Sequence, residues 1–394
     1  MESSDKSGDG SFDVVILGGG ATGLGCAVDA ASRGYRTLLL EARNFGCGTS
    51  SRSTKLFHGG VRYLPQMRFG LIREALAERA TLLRLAPMLV KPLGIIIPVR
   101  SVAEFAYYTV GMKLYDALAG KNTLEPSRPL SAARTFELLP TLRRERASGG
   151  IRYVDAQFDD RGFVAGLAQT ARRLGARLLE HAPAEKLLIV NDRVSGVVSP
   201  AGIFSARAVV NATGVWSDTV RRLSDPAAAS RIEASRGSHI LLDAAVLGGT
   251  DGMLIPKTDD GRIIFALPFK GQTLVGTTDI PVTEIADDPH ATEEEIDYLL
   301  EHARRYLTAS LTRNDVRGAY AGLRPLVRTA AKNTAALSRE HLVEVDEHGL
   351  VSILGGKWTT YRVMARDAID AAARVAELPR VPSKTEDLPL AAAT

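Results

Sequence analysis

The residues best suited to chemistry stand near the front of the chain. Gly18, Gly20 and Gly23 form a G-x-G-x-x-G spacing, with Ala21 and Thr22 inside it and Glu41 18 residues after the last glycine. Glycine at these places permits a tight turn, close approach of backbone to a pyrophosphate, and close helix–strand packing. The amide end of a following helix favours phosphate charge, and the Glu41 carboxylate, next to Ala42, accepts from ribose hydroxyls. The pattern points to a dinucleotide, and NAD and FAD share it. Two later segments bear on that choice. An apolar strand, Ala208 to Ala212, runs into Thr213-Gly214 and then Trp216, where glycine again lets backbone pass close to a ligand. Gly355-Gly356-Lys357-Trp358-Thr359 sets a glycine turn before a helix, whose N-terminal dipole suits negative charge at a flavin edge. A second glycine-rich unit for NAD is missing from the sequence.

These residues need elements to position them. Asp13–Leu17 reads as a buried strand, Leu24–Arg33 as a helix of small and apolar residues, and Tyr35–Glu41 as a second strand, which together make a βαβ unit. Helices are predicted over Gly70–Leu85 and Ala103–Leu118, and a loop-rich stretch over Lys121–Ser148. From Arg161 a helix, a strand, a hairpin (EKLLIVN and VSGVVS) and the strand ARAVVNATG follow. Ile232–Thr278 alternates strand-like runs with turns, the signature of an antiparallel sheet. Glu293–Thr308 reads as helix, and Leu350–Ala376 as strand, glycine turn and long helix. The fold class is α/β.

With 394 residues and 45% apolar content the chain can bury a large core divided between two domains. Two cysteines, Cys26 and Cys47, leave no room for a disulfide framework or a cysteine-ligated metal centre, so no metal is expected and a reducing compartment fits best. The polar start, Met1–Phe12, reads as a flexible tail without a signal-peptide core. No stretch offers the ~18 uncharged apolar residues of a membrane span. The net charge is +4, yet Arg52–Arg100 holds nine Lys/Arg against Glu74 and Glu78. That excess suits an anionic substrate or lipid surface, and no nucleic-acid-reading module accompanies it.

The segment GTSSRSTKLFHGGVRYL, Gly48 to Leu64, closely resembles the flavin-dependent glycerol-3-phosphate dehydrogenases of the D-amino-acid-oxidase-like superfamily. The resemblance continues through YDALAG (Tyr115–Gly120), VNATGVWSD (Val210–Asp218), RGSHI (Arg236–Ile240), VGTTD (Val275–Asp279), AGLRPL (Ala321–Leu326) and GGKWTTYR (Gly355–Arg362). It implies a Rossmann-like FAD-binding domain over 13–90, 150–225 and 340–378. A discontinuous α+β substrate domain on an antiparallel sheet takes 91–149 and 226–339, and 379–394 is a C-terminal tail. FAD, held non-covalently, would oxidise glycerol 3-phosphate to dihydroxyacetone phosphate, with electrons passing to a quinone or other acceptor. A cytoplasmic protein touching the inner face of the membrane is the expected setting.

Carried onto matching positions, the resemblance places Thr49, Ser50, Ser51, Thr54, Lys55 and Leu56 along the flavin and pyrophosphate, with His58, Gly59 and Gly60 near the ring. Arg62, Arg324 and Lys357 gather the substrate, with Tyr63, His239 and Arg339 close behind; guanidinium forks suit a phosphomonoester. Arginine is a poor base, so Arg324 is cast as a clamp on developing alkoxide charge, and His239, then His58, as proton acceptor. Two other readings remain open: an oxidase or dehydrogenase of an amino acid or 2-hydroxy acid, and a non-catalytic flavin-binding subunit. Family members commonly continue into a further helical domain, so a chain ending at Thr394 is expected to be a short or truncated form.

Overall fold

The structure is a computed structural model and describes residues 11–391 except 257, 260 and 329–340; the side chain of Arg62 also lies outside the described residues. Two sheets and eight α-helices make up the described chain. The first sheet has eight strands, five of them parallel neighbours: Val351–Gly355, Gly202–Asn211, β1 (Ser11–Leu17), β2 (Thr37–Leu40) and Arg177–Leu179. His341–Val345 adds antiparallel at one edge, and the hairpin Lys186–Val190 and Arg193–Ser199 pairs onto Gly202–Asn211.

Alternation along β1 divides its side chains between two cores. Val14 and Ile16 face helices α1 (Ala21–Ser32), Asp160–Arg173 and Tyr361–Val375, while Val15 and Leu17 face the hairpin layer. All four are buried, each contributing roughly 1.5–3 kcal/mol of apolar burial. α1 is buried nearly all round, which explains its run of small residues; a Cβ on Gly25 would meet the Tyr361 ring.

The second sheet has ten strands and is antiparallel apart from one parallel pair, Gly252–Ile255 with Val90–Val99. Its long pair, Ile232–Asp243 against Gly318–Val327, sets Ser235 opposite Arg324 and His239 opposite Tyr320. The mixed α/β class and the antiparallel second sheet agree with the sequence.

Other expectations need correction. Residues 150–158 and Leu56–Phe57, placed with the nucleotide-binding unit, pair within the second sheet; alternation marks a strand without saying which sheet it joins. Lys121–Ser148 is not merely loop, since it holds the strand Arg128–Ser131 and the helix Ala132–Leu138. Ser11 and Phe12, read as tail, already pair with Ser205 and Ala206. The C-terminal stretch is strapped down as far as Ala391. Tyr35 donates to Pro379 O, Arg33 to Val381 O, the Leu390 amide to Leu85 O and the Ala391 amide to Thr170 Oγ1.

Candidate active site

The turn between β1 and α1 forms one end of a cavity of about 440 Å³. Gly18 takes a φ of +100°, and a Cβ on Gly23 would collide with the Gly18 carbonyl oxygen. Glu41, at the end of β2, accepts from the Gly19 amide at 2.5 Å and the Arg43 amide at 2.8 Å. No acid stands in the first turn of α1, and the Ser50 hydroxyl meets the Ala21 amide at 2.8 Å. Amides at the helix end, a nearby hydroxyl and a strand-end carboxylate are the groups a dinucleotide requires.

The same cavity is lined by Gly20, Ala21, Thr22, Ala42, Thr49, Thr213, Gly214, Trp216, Gly355, Gly356, Lys357 and Trp358, all expected from the sequence. Buried Asn211 holds the Thr213 turn, accepting from the Thr213 hydroxyl at 2.7 Å and donating to Ser217 O at 3.0 Å. Gly355 and Gly356 both have positive φ, and a Cβ on Gly356 would strike Met364. The segment 48–52 joins the two sheets: Thr49 donates to Leu323 O, Arg52 to Ala321 O, and Trp358 Nε1 to Ser50 O.

A second cavity, about 1160 Å³, lies on the antiparallel sheet. Its polar lining is Arg324, Thr277, Thr278, Asp279, Glu233 and Arg262, and its apolar lining includes Val61, Leu64, Tyr107, Tyr108 and Met112. Arg324 is held in place on several sides. Nη1 meets Asp279 Oδ1 at 3.2 Å, and Nη2 donates to Thr277 Oγ1 at 2.8 Å and Thr278 O at 3.0 Å. A Cβ on Gly237 would occupy the guanidinium's place. Asp279 also accepts from Ser235, and Thr278 donates to buried Glu295 at 2.7 Å.

The two cavities abut twice. Arg324 lines the second while its neighbour Pro325 lines the first. Lys357 lines the first with its ammonium 4.2 Å over the ring of Tyr63, whose neighbours Val61 and Leu64 line the second.

Several residues expected at the site line neither cavity: Gly23, Ser51, Thr54, Lys55, Leu56, His58, Gly59, Gly60, Tyr63, His239 and Thr359. Lys55 is instead buried against Asp160 at 2.5 Å and donates to Ser51 O, so its charge is spent on a structural ion pair. Leu56 belongs to an apolar core. His58 is half-buried beside Phe265, and Gly59 and Gly60 pack on Leu76 and Tyr63. Arg339 and the Arg62 side chain lie outside the described residues. Thr277, Asp279, Glu233, Arg262 and Asn211 carry no assignable role in the sequence alone, although VGTTD and VNATG contain three of them.

His239 is 2% exposed, lies 2.9 Å from Thr54 Oγ1 through Nε2 and stacks on Tyr320 at 4.8 Å. Its Nδ1 is buried with no hydrogen-bond partner among the described residues. Burial first, then the charges of Arg324 and Lys55, push its pKa well below the ordinary imidazole value. The unfolded chain therefore takes up this proton at higher pH than the folded one. The stabilisation is complete above about pH 6.5 and is lost as pH falls from there toward the depressed folded value. Wild type is expected to lose more of its urea midpoint between pH 7.5 and 5.5 than His239→Asn; equal losses would refute a buried neutral imidazole.

No helix of the described chain is long and apolar enough to cross a membrane, and no group of three or more metal-ligating side chains occurs among the described residues.

Comparison with known proteins agrees with the geometry. The family model described as FAD dependent oxidoreductase (DAO) matches residues 13–362. The mitochondrial glycerol-3-phosphate dehydrogenase of Homo sapiens is 42% identical over 399 residues, covering 96% of this chain and 55% of its own length. Glycerol-3-phosphate dehydrogenase 2 of Mycobacterium bovis is 43% identical, covering 98% of this chain and 67% of its own. The X-ray structure of the Bacillus halodurans glycerol-3-phosphate dehydrogenase complexed with FAD matches with a TM-score of 0.79 at 31% identity, over 97% of this chain and 68% of that one. The chain thus spans about half the length of the mitochondrial relatives. With a glycine-cradled cleft that fits a dinucleotide and a family match over most of its length, the chain belongs to the DAO family of FAD-dependent oxidoreductases.

Proposed function

We propose that the protein oxidises glycerol 3-phosphate to dihydroxyacetone phosphate with FAD and passes the electrons to a quinone or similar acceptor. The observation that carries this reading is the pre-held Arg324 fork in a cavity abutting the dinucleotide cleft. A guanidinium fixed by Asp279 and Thr277 presents its positive charge to a phosphate or developing alkoxide without reorganising. The names of the relatives agree with a polyol phosphate as substrate.

FAD, when bound, supplies the hydride acceptor. The chain's own residues do the rest. Lys357, fixed over Tyr63, brings a second positive charge to the junction of the cavities. His239, cast from sequence as proton acceptor ahead of His58, lines neither cavity, and burial disfavours the charged form it would have to take up, so the geometry does not favour it as the base.

The same reading puts the protein in the cytoplasm, touching the inner membrane face peripherally. In its support, Tyr107, Val110 and Leu114, at the rim of the second cavity, are exposed and apolar, next to where an apolar acceptor would arrive.

The test is an anaerobic titration of FAD-loaded protein followed by flavin absorbance. Bleaching by glycerol 3-phosphate, and not by glycine or 2-hydroxyglutarate, is expected. Bleaching by either of those alone would replace the proposed substrate class. A full FAD complement reduced by none of them would leave a non-catalytic flavin-binding subunit.

A further inference from the structure

The segment Tyr115–Gly120, prominent in the sequence, has no part in the cleft or the clamp. Tyr115 sits near the end of the helix Val102–Ala119 and is 2% exposed. Its hydroxyl accepts from the Gly59 amide at 2.8 Å and donates to Asp155 at 3.0 Å. Asp155 is fully buried and paired with buried Arg79 at 2.6 Å; Arg79 also donates to the carbonyls of Val154 and Asn122. Burial and the Asp155 charge hold the phenol well above its ordinary titration range. It therefore keeps its proton for Asp155 and a lone pair for Gly59. Neighbouring Tyr153 is a contrast, since its buried hydroxyl has no partner among the described residues.

The chain of contacts continues toward the cavities. Gly59 packs so closely that a Cβ would meet Leu76 and the Tyr115 hydroxyl. Gly60, at φ +83°, accepts from the Tyr63 amide at 2.8 Å. Tyr63 carries the Lys357 ammonium over its ring.

We propose that Tyr115 is a positioning residue. Its hydroxyl, fixed by the buried Arg79–Asp155 pair, pins the His58–Gly60 turn and through it sets Tyr63 and Lys357 where the two cavities abut. A hydrogen bond to a backbone amide holds a turn at a set height, which an apolar ring contact alone does not do. The kinetic consequence rests on the reading of Lys357 as a substrate-binding cation; the structural consequence does not.

The test is Tyr115→Phe in the full chain, with and without FAD. Hydrogen exchange of the peptide spanning 58–63 is expected to quicken by about tenfold or more, since the Gly59 amide loses the phenol and keeps only its contact with the Asp155 carboxylate. The KM for glycerol 3-phosphate is expected to rise by about tenfold with kcat within about threefold, as for a lost ground-state contact. Unchanged exchange together with unchanged KM overturns the proposal, whatever happens to thermal stability. If glycerol 3-phosphate fails to reduce wild type, the proposed activity falls, and the exchange measurement still decides the role of Tyr115. If the variant does not fold, wild-type exchange decides: protection of the 58–63 peptide matching the strand Gly149–Phe158 supports the tether, and exchange at the rate of an exposed loop overturns it.

Discussion

Replacing Arg324 with methionine is expected to lower kcat/KM for glycerol 3-phosphate by about a thousandfold or more, with FAD content unchanged. The guanidinium lines the second cavity and not the dinucleotide cleft, so the cofactor keeps its ligands. Loss of a guanidinium charge facing an anionic substrate, at roughly 1.5–3 kcal/mol for each charge-assisted interaction it makes, accounts for a drop of about a thousandfold. Methionine also strands Asp279, a largely buried carboxylate that the pair now neutralises. That adds a stability loss, since breaking one side of such a pair leaves an uncompensated charge. The double variant Arg324→Met/Asp279→Asn separates the two effects: it regains melting temperature without regaining activity. Lysine in place of Arg324 keeps the charge and loses the fork, and is expected to be slower than wild type by about a hundredfold. Steady-state kinetics with flavin content as the control checks all three, and a loss below about tenfold for Arg324→Met would remove Arg324 from the substrate site.

Gly23→Ala is expected to abolish FAD retention. The added methyl would lie against the Gly18 carbonyl oxygen, and the Ala212 methyl, just past the end of the neighbouring strand, stands 3.5 Å away. α1 cannot step aside, because it is buried on almost every face. Relief therefore has to come from the Gly18 turn, the surface that receives the pyrophosphate. A misfit of this kind typically costs about 1–3 kcal/mol in packing alone, and flavin per protein is expected to fall below about a tenth of wild type. Gly70→Ala is the matched control, since nothing stands within 4 Å of a Cβ there. Its flavin content is expected to equal that of wild type; equal flavin in Gly23→Ala as well would mean that the cleft tolerates the methyl.

The nucleotide end of the site was legible in the sequence because it is local. Three glycines, two strands and a carboxylate lie within 29 residues, from Asp13 to Glu41, and each has one physical task. The substrate end was legible only in part. Arg324 was found, but its partners Asp279 and Thr277 lie 45 and 47 residues away. Only strand register brings them together, and no periodicity records it. Lys55 shows the converse. Its place in a conspicuous motif suggested a ligand, whereas Asp160, 105 residues on, had already claimed its charge. His239 was identified by type, yet its burial and the two cations that keep it neutral follow from packing alone.

The strand Gly318–Val327 separates the two cavities with adjacent residues, Pro325 toward one and Arg324 toward the other. Its ten residues pair one for one with Ile232–Leu241. An insertion or deletion of a single residue within it would transpose the walls, because a one-place slip turns every side chain to the opposite face. Changes of chain length are therefore confined to the connections outside residues 318–327, and within the strand the number of residues is as constrained as their identity.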